Sequence, residues 1–202
     1  MLFKTGGPWT GSFRAVRTRP NIVRRDFMTR LFRKLQQLDR QIFVGINGRL
    51  HRSFLNFWLY HFTHLGGAWF TILSSLLIWL AAPQPWSRVG LQSCVALAIS
   101  HLPVALVKKT YPRLRPYLTL PGTNTFRNPL TDHSFPSGHT TAIFSVTVPF
   151  MAAAPGLILV LLPVALLVAV SRIYLGLHYP SDTLAGAVIG SSVALGTVAL
   201  WA

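Results

Sequence analysis

The sequence predicts an all-α fold: an integral membrane helical bundle of about five transmembrane helices, preceded by a basic amphipathic helix. Three observations predict it. Of 202 residues, 51% are hydrophobic and only 11% are charged, less than half the roughly 25% usual in soluble domains. The acidic residues are confined to four aspartates, Asp26, Asp39, Asp132 and Asp182, against 19 Lys and Arg. Several apolar runs approach the roughly 20 residues that a helix needs to cross a bilayer. The length suits one domain and not two.

Residues 1–22, rich in Gly, Pro and Arg without periodicity, are expected to form a flexible basic tail. Residues 23–52 are expected to hold an amphipathic helix, because Phe27, Leu31, Leu35, Leu38 and Ile42 recur at helical spacing. Arg24, Arg25, Arg30, Arg33, Lys34 and Arg40 fall largely off that stripe. Two readings are open: a helix lying on an anionic membrane surface, or a solvated helix packed on the protein's own rim. No apolar core follows the N-terminal charges, so no cleavable signal peptide is expected. The membrane domain then covers 53–202, with spans near 68–82, 89–107, 138–153, 156–171 and 183–202. The first extends back through "FLNFWLYHFTHLGG", whose Trp58, Tyr60 and histidines suit an interfacial collar. Cys94 is the lone cysteine, which excludes an intramolecular disulfide.

The single long loop, 108–136, carries five basic residues and five prolines; loops of that length in a compact chain are usually functional. Helices alternate direction across a membrane. The end of the second span, the start of the third, the end of the fourth and the start of the fifth must therefore share one face. That face collects Lys108, Arg115, Ser137, Gly138, His139, Arg172, His178 and Asp182. Ionisable groups near a bilayer are costly and point to function. Three cations beside a helix N-terminus make a receptacle for phosphate or diphosphate. Two histidines offer a nucleophile and a proton donor. Asp182, four residues past His178, is placed to hold one of its ring nitrogens, as the acid does in a Ser-His-Asp triad.

The spacing Lys108-x6-Arg115-Pro116, then Pro136-Ser137-Gly138-His139, then Ser171-Arg172-x5-His178-x3-Asp182 resembles the three-part signature of the type 2 phosphatidic acid phosphatase superfamily. The resemblance covers about residues 60–200. It implies that His178 forms a phosphohistidine, that Asp182 orients it, and that His139 protonates the leaving group and then activates water. It implies that Lys108, Arg115, Arg172, Ser137 and Gly138 bind the phosphoryl oxygens, with no metal and no other cofactor. The implied substrate is a membrane lipid carrying a phosphate monoester or diphosphate: polyprenyl diphosphate, phosphatidylglycerophosphate or phosphatidate. A phosphotransferase and a non-catalytic lipid-phosphate binder are the alternatives. The expected partners are that lipid and an anionic membrane surface, with no nucleic acid.

Other polar residues have plainer expectations. Lys109, Arg113 and Arg127 read as headgroup contacts or solvated charges, and Asp132 and His133 as loop polarity or pocket lining. His101 reads as bonding another helix, and His51, His61 and His64 as interfacial. Charge and resemblance differ on sidedness. Twelve of the 19 basic residues lie in 1–52, which pulls the N-terminus and the site toward the cytoplasm. Most members of the family work on the extracytoplasmic side, and that side is the expectation.

Overall fold

The computed structural model describes residues 20–125 and 131–201, with the side chains of 20–29, 31 and 32 left undescribed. Its helices are α1 (Pro20–Arg49), α2 (Ser53–Thr63), α3 (Ala68–Ala81), α4 (Trp86–Thr110), the single turn α5 (Pro116–Thr119), α6 (Gly138–Ala153), α7 (Ile158–Tyr174) and α8 (Pro180–Leu200). Turns of 3-10 helix cover His64–Gly66 and Pro155–Leu157. No strand occurs among the described residues. The all-α membrane bundle is what the apolar runs require, since only a helix satisfies its own backbone inside lipid.

Helix α4, α7 with its preceding turn, and α8 are each long and apolar enough to span a bilayer. The expected first span is one limb of a broken element. Residues Ser53–Gly66 and Ala68–Ala81 meet at a bend of 52°, where the Gly66-Gly67 pair interrupts the helix. Large apolar side chains such as Trp69, Leu102, Leu159 and Leu200 point outward, as they must where the surrounding solvent is hydrocarbon.

Helix α6 is the centre of the bundle. Every residue from Thr140 to Pro149 is buried, which explains a composition too polar for a lipid-facing span. Its hydroxyls bond within the protein: Ser145 Oγ donates to Ser100 Oγ at 2.8 Å, and Ser93 Oγ of α4 donates to the Val146 carbonyl at 3.0 Å. Helix α8 lies against α6 through Gly186 and Gly190. A Cβ on Gly186 would sit 2.6 Å from the Ser137 carbonyl oxygen, and one on Gly190 2.5 Å from that of Thr141. Small residues four apart let membrane helices approach this closely.

Residues up to Gln37 form one unit and Leu38–Ala202 a second. Of the tail expected over 1–22, residues 1–19 lie outside the described residues, and α1 already includes 20–22. Within the second unit α1 packs by a face that hydropathy does not mark. Asp39, Phe43 and Asn47, one turn apart, are buried, whereas Leu38 and Ile42 of the expected stripe are 52% and 42% exposed. Asn47 is buried because it is satisfied: its Nδ2 donates to the Asn124 and Tyr174 carbonyls, both at 2.8 Å, and its Oδ1 accepts the Asn124 N–H at 2.9 Å.

Candidate active site

Three segments build the site: the end of α4 with the loop that follows, the start of α6, and the α7–α8 turn. In the loop after α4, Arg115, immediately ahead of Pro116, is only 1% exposed. Its Nε donates to the Asp132 carbonyl (2.8 Å), its Nη2 to Asp132 Oδ1 (2.5 Å) and its Nη1 to the Leu177 carbonyl (2.8 Å). Lys108, in the last turn of α4, pairs with the second oxygen of Asp132. Burial alone would raise that carboxyl, but the hydrogen bonds and charges of Lys108 and Arg115 hold it at about 2. His133 Nδ1 is 2.9 Å from the Lys108 carbonyl, which ties the loop to α4.

The α7–α8 turn presents His178. Helix α7 ends at Tyr174, and Gly176 takes φ 76, the left-handed conformation common just past a helix end. The chain then doubles back, so that the N–H groups of Leu177 and His178 both donate to the Arg172 carbonyl, at 3.1 and 3.2 Å. His178 is 2% exposed. Its Nε2 lies 3.1 Å from Arg115 Nη1. A guanidinium has no acceptor, so this contact makes Nε2 the lone-pair nitrogen and leaves the proton on Nδ1. Burial, then the charges of Arg172, Arg115 and Lys108, push the imidazole pKa well below its ordinary value. The ring is therefore neutral at physiological pH, with the Nε2 lone pair turned toward Arg115.

Nδ1 of His178 has no hydrogen-bond partner among the described residues. Its nearest carboxylate oxygen is Asp182 Oδ2 at 3.6 Å, close enough for electrostatic attraction and too long for a hydrogen bond. Asp182, fully buried in the first turn of α8, is pinned from elsewhere. Oδ2 accepts the Tyr179 N–H (2.8 Å) and Oδ1 accepts from Arg113 Nη1 (2.6 Å).

Arg172 is 3% exposed. Its Nη1 donates to Thr63 Oγ1 at 3.0 Å, but Nε and Nη2 have no partner among the described residues. Burying a charge with donors unpaired is expensive, and the arrangement asks for an anion. Ser137 is the N-cap of α6. Its N–H donates to the Asp182 carbonyl (3.0 Å) and its Oγ accepts from Thr140 (3.0 Å), so its own hydroxyl proton is left to donate. The N–H groups of Gly138, His139 and Thr140 precede the first helical bond of α6. No described atom lies within 4 Å of where a Gly138 Cβ would be, so the backbone there is open to approach. His139 lies within electrostatic range of Arg172, His178 and Arg115. Beside it opens an apolar cavity of about 510 Å³ between α3, α4 and α6, lined among others by Ile72, Leu76, Leu97 and Ala142.

All eight residues named from sequence thus converge on one end of the bundle. Arg113 corrects its expectation. It is no headgroup contact: Nη1 donates to Asp182 and Ser181, Nη2 to Asp39, and the guanidinium sits 4.1 Å over the Tyr179 ring. Burial opposes its charge, but Asp182 and Asp39 hold its pKa above the ordinary value. His101 is also corrected, since its Nδ1 bonds the Leu97 carbonyl of its own helix (2.9 Å) and it lines the cavity. Lys109 is exposed, as are His61 and His64; Arg127 lies outside the described residues. Thr63 and Asp39 were missed from sequence. Asp39 carried a signal, being one of four acidic residues in the chain; Thr63 carried none. Among the described residues no three His, Cys, Asp or Glu side chains gather as metal ligands.

This geometry has known counterparts. The family model of the PAP2 superfamily matches residues 89–202. A putative undecaprenyl-diphosphatase of Escherichia coli K12 is 31% identical over 132 residues, 64% of this chain and 65% of that protein; the chain thus spans under two thirds of that relative's length. The crystal structure of LpxE from Aquifex aeolicus superposes with a TM-score of 0.71 at 26% identity, covering 80% of this chain and 95% of that one. A PAP2-type phosphatidylglycerolphosphate phosphatase from Bacillus subtilis superposes with a TM-score of 0.69 at 23% identity, over 83% and 86%; it shares the fold. The family model covers more than half of the chain, and the chain belongs to the PAP2 superfamily.

Proposed function

We propose that this protein is a membrane lipid phosphatase that hydrolyses a phosphate monoester or diphosphate through a phosphohistidine. The observation that carries this reading is the buried Arg172, with two nitrogens unpartnered among the described residues, in a site that adjoins an apolar cavity at His139. A phosphate would meet the donors while the hydrocarbon stays among apolar side chains. The charged group is bound by Arg172, Arg115, Lys108, Ser137 and the free N–H groups at Gly138, with Arg115 and Lys108 exchanging Asp132 for phosphoryl oxygens. His178 Nε2 then attacks phosphorus with its lone pair. The bond from phosphorus to the leaving oxygen breaks, and His139 donates the proton that oxygen needs. Asp182 draws the Nδ1 proton as positive charge grows on the ring. In the second half His139 takes a proton from water, the hydroxide bonds to phosphorus, and the P–N bond returns its electrons to Nε2.

Similarity to a relative named for undecaprenyl diphosphate supports a polyprenyl diphosphate as the first substrate to test. The reaction as written needs no metal, and the site faces the extracytoplasmic side. Phosphate release by the purified protein across a panel of polyprenyl diphosphate, phosphatidylglycerophosphate and phosphatidate tests the reading. Wild type should turn over at least one of them with EDTA present. His178→Ala should lose on the order of 10²-fold or more and trap no phosphoenzyme. Near-normal turnover by His178→Ala, or activity that EDTA removes and magnesium restores, would overturn it.

A further inference from the structure

Resting on that phosphatase reading, we infer that Arg113 and Asp39 are positioning residues, forming a carboxylate–guanidinium–carboxylate clamp that fixes the Asp182 carboxylate against His178. Among the described residues, the hydrogen bonds of both side chains go to Asp182, to Ser181 and to each other. Arg113 bonds Oδ1 of Asp182, the oxygen other than the one nearest His178, and joins it to Asp39 of α1 through bonds of 2.6 Å each. Asp39 is itself only 7% exposed. Its Oδ1 accepts the Ser181 N–H (2.8 Å) and its Oδ2 the Ser181 hydroxyl (2.6 Å). Pro180, at the first helical position, has no N–H to offer, so Ser181 N–H is the first donor of α8 that needs a partner. A carboxylate from a distant helix supplies it, and the same carboxylate grips Arg113.

Geometry and charge both follow. Without Arg113, Asp182 would be a carboxylate with no exposure, held only by neutral donors, the Tyr179 N–H and the Ser134 hydroxyl, and such a group is costly to bury ionised. Arg113 supplies the charge partner at Oδ1 while the Tyr179 N–H holds Oδ2, and the guanidinium's other arm, anchored on Asp39, fixes the direction from which Oδ1 is held. The guanidinium carbon lies 4.1 Å over the Tyr179 ring, a cation–π contact that helps hold it in place. Two carboxylates around one guanidinium leave one net negative charge. That charge faces Nδ1–H of His178, whose ring becomes cationic once Nε2 is bonded to phosphorus. The groups that face Asp182 are Arg113 from the loop, Asp39 beyond it on α1, His178 and Tyr179 from the turn, and the Ser134 hydroxyl.

The test is steady-state kinetics against pH on four full-length proteins: wild type, Arg113→Gln, Arg113→Lys and Asp39→Asn. Arg113→Gln should lower kcat roughly 10-fold or more with KM little changed, since the loss falls on proton handling and not on phosphate contacts. Without the cation Asp182 and His178 take up protons more readily, so the acid limb of kcat should move to higher pH. Asp39→Asn leaves the guanidinium wholly to Asp182, and the acid limb should move to lower pH. Arg113→Lys keeps the charge without the fork; the acid limb should return toward wild type while kcat recovers only in part. A purely structural clamp would lower activity without opposite pH shifts. If Arg113→Gln does not fold, Asp39→Asn and Arg113→Lys carry the same reading. Acid limbs that stay in place, shifts of the same sign, or a loss confined to KM would overturn the clamp. Substrate turnover surviving in His178→Ala would instead overturn the phosphatase reading, whatever the Arg113 variants do.

Discussion

At Arg172 the fold holds a guanidinium inside the protein with Nε and Nη2 unpaired among the described residues, an arrangement that costs stability until an anion arrives. Binding and stability should therefore part company there. Arg172→Met should weaken inhibition by vanadate, a phosphate mimic, by roughly 10- to 10²-fold, the scale of hydrogen bonds to a charged group. Its melting temperature should be unchanged or higher; a large fall would show that Arg172 is structural. His178 makes a residue-scale prediction about pH. Its folded pKa lies well below its ordinary value of 6.5 because the ring is buried beside Arg172, Arg115 and Lys108. The unfolded chain takes up a proton near pH 6.5 that the folded chain refuses, so the stability this group contributes falls as pH drops below about 6.5. Lys108→Met removes one opposing charge and should move the acid limb of kcat/KM to higher pH. Most of these residues were legible in the sequence, because motif spacing and alternating helix direction bring them to one face. Arg113 was misread, since its partners come from α1 and α8 and no spacing along the loop reveals them.

The α6–α8 contact belongs to the scale of elements. Gly186 and Gly190 bring the α8 backbone against the carbonyls of Ser137 and Thr141, so this packing also sets the N-cap of α6, where the site begins. Gly186→Ala should cost about 1–3 kcal/mol, the usual penalty of overpacking, and should lower activity by displacing Ser137. Gly196, on the same helix with nothing within 4 Å of a Cβ, is the control: Gly196→Ala should leave both unchanged. Thermal unfolding in detergent with parallel activity measurements decides it; equal effects at the two positions would refute the packing argument. Helix α1 shows the limit of periodicity. Its apolar stripe was legible and remains exposed at Leu38 and Ile42, while the face that packs carries Asp39 and Asn47. Hydropathy scores a residue by its own transfer cost and cannot count the hydrogen bonds that a tertiary partner supplies.

At the scale of the whole molecule, the ends of α4 and α7 and the starts of α6 and α8 meet at one end of the bundle, with the later half of α1 beside them. The proposed extracytoplasmic site is open to a thiol test because Cys94 is the lone cysteine. With Cys94→Ser and a new cysteine at the exposed Pro121, an impermeant maleimide should label intact cells before lysis; protection until lysis would place the site inside. By itself the sequence determined the helical membrane class, the family and the face on which the reactive residues gather. These follow from apolar run length, fixed motif spacing and the alternation of spans, all local or countable along the chain. Tertiary structure alone decided that α6 is the buried centre, that the first span is bent, that Arg115 and Lys108 share Asp132, and that Arg113 joins Asp182 to Asp39. Each of those depends on groups distant in sequence meeting in a low-dielectric interior, where a polar side chain is tolerated only if another element supplies its partner.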